Sequence, residues 1–173
     1  MIDDDIVEAA KRLLDICKRK NLTVATVESC TAGLVAGTLT EVPGTSSILD
    51  RGFVTYSNQA KQDMVGVSAA TLKAHGAVSR QTAEEMVRGA LSHAAVDLAV
   101  SITGIAGPDG GSDEKPVGLV HFGAASRSGQ FVHDEKRFGN IGRSQVRKQS
   151  VLKAFRMLHD LAVNEPARPP KKD

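Results

Sequence analysis

The stretch Thr23–Gly33, TVATVESCTAG, constrains the fold more than any other part of the chain. Thr23–Val27 reads as a β-strand, which passes through a tight turn into a helix over about Thr31–Glu41. Val24 and Val27 fall on opposite faces of a regular strand, so both faces need covering. A strand covered on both sides belongs in a sheet between two helical layers. Aromatic residues make up 3% of the chain against 41% hydrophobic residues, and there is no Trp. The core must therefore be built from Val, Leu, Ile and Ala, which suits a helix-covered sheet.

The rest of the chain supplies the layers. Ile6, Ala10, Leu13, Leu14 and Cys17 share one face of a helix over about Asp5–Lys18, with Asp3, Asp4 and Asp5 at the end that favours negative charge. Gly52–Tyr56 reads as a short strand, and Ser57 and Ser68 as caps of short helices. Ser79 opens a longer helix, Arg80–Ala94, with Ala83, Met86, Val87, Ala90 and Leu91 at core spacing. Asp97–Ile102 is the most apolar strand, followed by the long loop TGIAGPDGGSDEKP. Val117–Ala125 and Gln130–Phe138 form a hairpin around Ser126-Arg127-Ser128-Gly129, and Arg143–Ala162 is the last helix. Gly33 and Gly37, four apart, suggest close packing of their helix on the sheet. The order predicts an α/β fold, a three-layer α/β/α sandwich with a mixed, mostly parallel sheet. Residues 1–163 are expected to form one domain and 164–173 a disordered tail.

Composition excludes several classes. Twenty-two basic residues against 20 acidic ones leave a net charge of +2, with no basic stripe, so no nucleic-acid partner is expected. Cys17 and Cys30 make neither a disulfide framework nor a CxxC pair, which fits a reducing, cytoplasmic setting. No apolar run approaches the roughly 20 residues that span a bilayer, and the start of the chain is acidic where a signal peptide is basic.

The chemistry centres on Ser29, at the strand–helix junction. Its hydroxyl can cap the helix, or it can be a nucleophile beside amides that stabilise an oxyanion. The surrounding residues lack the GxSxG pattern of a nucleophile elbow. Cys30 is a rival nucleophile or a small buried hydrophobe, and a helix N-terminus would lower its thiol pKa. The segment RGFVTYSNQAK carries the only tyrosine, Tyr56, and then Lys61. Lys61 can serve as a base if desolvation or a neighbouring cation removes its proton, and the Tyr56 phenol could relay it. Thr103-Gly104-Ile105-Ala106-Gly107-Pro108 follows a strand end, where glycines let amides approach a ligand. Asp109, Asp113 and Glu114 could suggest a metal but match no EF-hand spacing, and they read as a solvated loop. Arg143, at the start of the last helix, can meet a phosphate with its planar fork.

The segments ESCTAG (Glu28–Gly33), RGFVTYSNQAK (Arg51–Lys61), HGAVS (His75–Ser79) and SITGIAGPDGGSDEKPVG (Ser101–Gly118) together resemble the CinA C-terminal domain family. The resemblance covers roughly Ile6 to Leu161. Stand-alone members are nicotinamide mononucleotide amidohydrolases of the PncC type. The resemblance implies hydrolysis of the carboxamide of nicotinamide mononucleotide to nicotinic acid mononucleotide and ammonia, without metal or organic cofactor. It matches the catalytic serine, tyrosine and lysine to Ser29, Tyr56 and Lys61. Cys30, Thr31, Thr103, Gly104 and Arg143 are the expected substrate-binding residues. The family pattern F-x-G-D-R-x-x-V-R becomes FGNIGRSQVR at Phe138–Arg147, one residue longer and without the aspartate. A small-molecule nucleotide partner and a homo-oligomer are expected. Two other readings stay open: a non-catalytic nucleotide-binding regulatory module, or an amidase for another pyridine nucleotide amide.

Overall fold

The computed structural model describes residues 3–170. The elements run α1 (Asp4–Lys20), β1 (Val24–Glu28), α2 (Leu34–Leu39), β2 (Leu49–Val54), α3 (Asn58–Val65), α4 (Ala69–His75), α5 (Arg80–His93), β3 (Leu98–Gly104), β4 (Leu119–Ser126), β5 (Phe131–Arg137) and α6 (Arg143–Asn164). The five strands form one sheet in the order β2-β1-β3-β4-β5. β1 pairs parallel with both β2 and β3, while β4 is antiparallel to β3 and β5. The sheet is thus mixed, with parallel and antiparallel pairings equally divided.

Every residue of β1 and of β4 is buried, because helices cover both faces of the sheet. On one face, α1, α2 and α6 close over Val24, Leu98, Val100, Ile102 and Phe122. On the other, Val65 of α3 and Met86, Val87 and Ala90 of α5 close over Val27, Ala99 and Ala125. Val24 and Val27 therefore lie in different cores, as their spacing requires. The serine caps are present: Ser57, Ser68 and Ser79 accept from the amides of Ala60, Thr71 and Thr82. Among the described residues no helix is long and apolar enough to cross a membrane.

Four expectations need correction. The helix expected from Thr31 starts only at Leu34, because Ala32 and Gly33 take left-handed conformations, φ 49° and 89°. Gly33 serves that turn, and nothing lies near the Cα of Gly37 that a side chain would meet, so neither glycine marks close packing. The strand expected over Gly52–Tyr56 ends at Val54, which leaves Tyr56 in the β2–α3 connection. Order also runs past residue 163. Lys20 donates to the carbonyls of Ala162, Val163 and Glu165, satisfying the bare end of α6, and the Arg168 amide bonds Lys20. Glu165 is buried and accepts from Ser128 and Gln130. Residues 171–173 of the expected tail lie outside the described residues.

Candidate active site

β1, β2 and β3 are parallel neighbours, so their C-terminal ends open on one side of the sheet. In open α/β sheets this edge is where crevices form. A cleft of about 270 Å³ lies there, lined by Ser29, Cys30, Tyr56, Lys61, Thr103, Gly104 and Arg143, together with Asp109 and the loop residues around it. Of the eight site residues expected from the sequence, only Thr31 is missing from its wall. A larger groove of about 460 Å³ between α1 and α6 contains none of them.

Ser29 is held by its backbone at the end of β1, where its amide donates to Ile102 O at 3.0 Å. It does not cap α2. That work falls to the buried carboxylate of Glu28, which accepts from the amides of Gly33, Val35 and Ala36 and from the Thr26 hydroxyl, all at 3.0–3.1 Å. The Ser29 hydroxyl is thereby left free to face the cleft. Sequence reasoning missed Glu28. The signal was an acid closing an apolar strand, five residues ahead of a glycine that opens a helix.

Lys61, in the first turn of α3, is only 1% exposed. Its Nζ lies 3.1 Å from Ser29 Oγ, 2.8 Å from Thr55 O and 3.3 Å from Tyr56 O. None of these partners is an anion, and desolvation by burial pushes the Lys61 pKa below its ordinary value. The environment fits a neutral amine: two N–H groups for two carbonyls, and a lone pair able to accept the Ser29 hydroxyl proton. A buried amine at hydrogen-bond distance from a serine hydroxyl is the arrangement of a Ser–Lys nucleophile and base.

Tyr56 has a different place from the expected relay. It is 57% exposed, and its phenol accepts from Arg143 Nη2 at 3.3 Å rather than bridging Ser29 and Lys61. Lys61 reaches the serine directly, so no intermediary is needed. Arg143 also donates to Gly107 O at 3.0 Å, tying the start of α6 to the glycine-rich loop.

The Cys30 thiol is 5% exposed, and burial pushes its pKa up to about 11, the reverse of the activation expected at a helix start. As a rival nucleophile it would be a protonated thiol, while Ser29 has the amine. Thr31 is fully buried, its hydroxyl has no partner, and it does not line the cleft, so the structure does not present it to a substrate as expected. The Thr103 hydroxyl is engaged by Ala77 O at 2.7 Å. Gly104 is explained by packing: an added Cβ would meet Val120 Cγ2 at 2.7 Å and Leu119 O at 2.9 Å across β4.

The altered FGNIGR segment also finds a physical account. Gly142 occupies the N-cap position of α6, with φ 91° and no capping side chain, and the first turn holds no acid. The aspartate of the family pattern, directly before the arginine, falls on that cap position. That position is a helix cap outside the lining of the cleft.

A mixed sheet between helical layers, with a Ser–Lys pair at the ends of its parallel strands, defines the class: an α/β/α sandwich with a nucleophile cleft. Residues 6–162 match the CinA C-terminal domain family, and the chain belongs to it. It is 46% identical to the nicotinamide-nucleotide amidohydrolase PncC of Escherichia coli K12 over 158 residues, covering 91% of this chain and 95% of that protein. It is 49% identical to a putative competence-damage inducible protein of Acetivibrio thermocellus over 150 residues, 87% of this chain but 35% of that longer protein. The crystal structure of the competence/damage inducible protein CihA from Agrobacterium tumefaciens superposes with a TM-score of 0.92 at 51% identity, covering 95% of this chain and 99% of that one.

Proposed function

We propose that this chain is an amidohydrolase that converts nicotinamide mononucleotide to nicotinic acid mononucleotide and ammonia. The observation that carries the reading is the 3.1 Å approach of the buried Lys61 amine to Ser29 Oγ inside the cleft. The relative named as a nicotinamide-nucleotide amidohydrolase, matched over 95% of its length, supports the substrate class.

The steps follow from the geometry. Ser29 Oγ attacks the carboxamide carbon while its proton passes to Lys61 Nζ. The oxyanion forms beside the Ser29 turn, where Cys30 lines the cleft. Lys61 then gives its proton to the departing nitrogen, the C–N bond breaks, and ammonia leaves a Ser29 ester. Water attacks that ester, Lys61 takes the water's proton, and the acid is released with Ser29 restored. Arg143, with Tyr56 at the rim, meets the phosphate of the nucleotide, and the loop that begins with Thr103 and Gly104, to which Arg143 is tied at Gly107, forms part of the cleft wall. The partner is thus a small nucleotide rather than a nucleic acid. The protein is read as a cytoplasmic homo-oligomer, a state that light scattering checks.

Ammonia release from nicotinamide mononucleotide by the wild type and by Ser29→Ala tests the reading. Release by the first and not by the second is expected. A wild type that binds the nucleotide in a thermal-shift assay without turnover would instead be a binding module. Preference for another amide in a panel with nicotinamide and NAD would move the substrate.

A further inference from the structure

Asp109 stands on the wall of the cleft, in the glycine-rich loop that follows β3. The sequence groups it with Asp113 and Glu114 as a solvated loop, but only Asp109 of the three lines the cleft. Among the described residues it is the one acid there. It is exposed, and no ion pair among the described residues includes it. Arg143 is in the same position: its two partners, Gly107 O and the Tyr56 phenol, are neutral. With the buried Lys61 amine neutral, the wall presents one fixed cation and one unpaired anion.

The chain places the two charges at one end. Arg143 Nη1 holds Gly107 O at 3.0 Å, and the two residues from Gly107 to Asp109 span at most about 7 Å. Asp109 therefore belongs to the arginine's end of the cleft. A nucleotide with its carboxamide carbon at Ser29 and its phosphate at Arg143 passes its ribose between them. The 2′- and 3′-hydroxyls of that ribose are two adjacent donors, and they need acceptors. The other side chains on the wall have few to offer. The Tyr56 phenol already accepts from Arg143, the Thr103 hydroxyl is turned to Ala77 O, and the Ser29 hydroxyl is taken by Lys61. A guanidinium accepts nothing. The Asp109 carboxylate is acceptor-only, and its two oxygens match the two hydroxyls. Beside a phosphate site such an anion is otherwise a cost, since like charges repel.

We propose that Asp109 is a specificity-determining residue that accepts hydrogen bonds from the two ribose hydroxyls of the nucleotide. The proposal rests on the amidase reading above. It adds the group that separates a ribonucleotide amide from its deoxy counterpart. A site that pairs with a substrate hydroxyl discriminates against the analogue lacking it.

The test is steady-state hydrolysis of nicotinamide mononucleotide and of its 2′-deoxy analogue by wild type, Asp109→Ala and Asp109→Asn. Melting temperatures are measured alongside and should agree, because the side chain is exposed and outside every ion pair described. Asp109→Ala is expected to raise KM for the ribonucleotide about 10-fold, the worth of a charge-assisted hydrogen bond, with kcat within about threefold of wild type. The wild type should show a similar loss on the deoxy analogue, and Asp109→Ala no further loss on it. Asp109→Asn, with one acceptor in place of two, should fall between. An unchanged KM in Asp109→Ala overturns the proposal. So does a lowered KM, which would mean that the carboxylate only repels the phosphate. Equal losses on both nucleotides, with the preference for ribose intact, overturn it as well, because the carboxylate would then face the pyridinium charge. Failure of the wild type to release ammonia removes the amidase reading instead. Dissociation constants from calorimetry for the same proteins and nucleotides then decide the proposal by the same criteria, and a wild type that binds neither nucleotide overturns both.

Discussion

Two cations face the same cleft in opposite circumstances. Lys61 is buried on the floor against Ser29, with its pKa lowered by desolvation. Arg143 is exposed on the rim, bonded to Tyr56 and Gly107. The floor asks its cation to lose its proton; the rim asks its cation never to. Lysine and arginine are not interchangeable in these places, since only an amine can be discharged by burial and only a guanidinium offers a flat fork to a phosphate. The difference divides the cleft into a reacting half and a holding half.

The largest expected effect breaks the reacting half outright. Ser29→Ala should lower kcat by about 10⁴-fold or more, measured as ammonia release, because nucleophile and base act as one unit. Lys61→Met should follow at about 1000-fold, and Lys61→Arg should not restore it, since a guanidinium cannot accept the proton. The holding half should respond differently. Arg143→Ala is expected to raise KM by roughly 10- to 100-fold, the worth of a charge-assisted contact, with a much smaller change in kcat. Nicotinamide riboside, which lacks the phosphate, should show the same loss with wild type and no further loss with Arg143→Ala. Equal kcat losses at Lys61 and Arg143 would erase the distinction between the halves.

Titration sharpens the same contrast. Below the depressed pKa of Lys61 the amine is protonated and kcat/KM should fall; above it the rate should reach a plateau. Stability carries the same sign. Burying the charged amine penalises the fold fully below the folded pKa. The penalty fades as pH rises from there toward the ordinary value near 10.4, where the unfolded chain also loses its proton. The difference in melting temperature between wild type and Lys61→Met should therefore shift in favour of wild type as pH rises through that window. A difference flat with pH would mean that Lys61 is charged throughout. The smallest effect is expected at Cys30→Ala, whose thiol is protonated at neutral pH: activity within about threefold of wild type.

Much of this was legible in the sequence, and the gaps have physical causes. Val24 and Val27 announced a two-faced sheet, and Ser57, Ser68 and Ser79 announced their helices, because strand alternation and caps are local. The start of α2 was not legible, since the left-handed Ala32 has no signature that side-chain periodicity can carry. Ser29 and Lys61 were readable as candidates, but their distance depends on β1 and β2 pairing in parallel, a long-range fact. Tyr56 was read as a proton relay because it lies near Lys61 in the chain; in space its phenol belongs to Arg143. Glu28 escaped because most of its partners are backbone amides, which every sequence possesses. The extended tail failed on composition: Glu165 looks like a solvated acid until Ser128 and Gln130 reach it from the hairpin.

The carboxylate of Glu28 has a consequence for how the molecule breathes. It collects the amides of Gly33, Val35 and Ala36 from within the sheet's own last residue. Fraying of α2 alone would strand a buried anion, so the turn cannot open by itself and must wait for β1 to leave the sheet. Those amides should exchange their hydrogens with solvent only as slowly as the central strand does. The nucleophile thus has no private unfolding route: when the site is lost, the fold is lost with it.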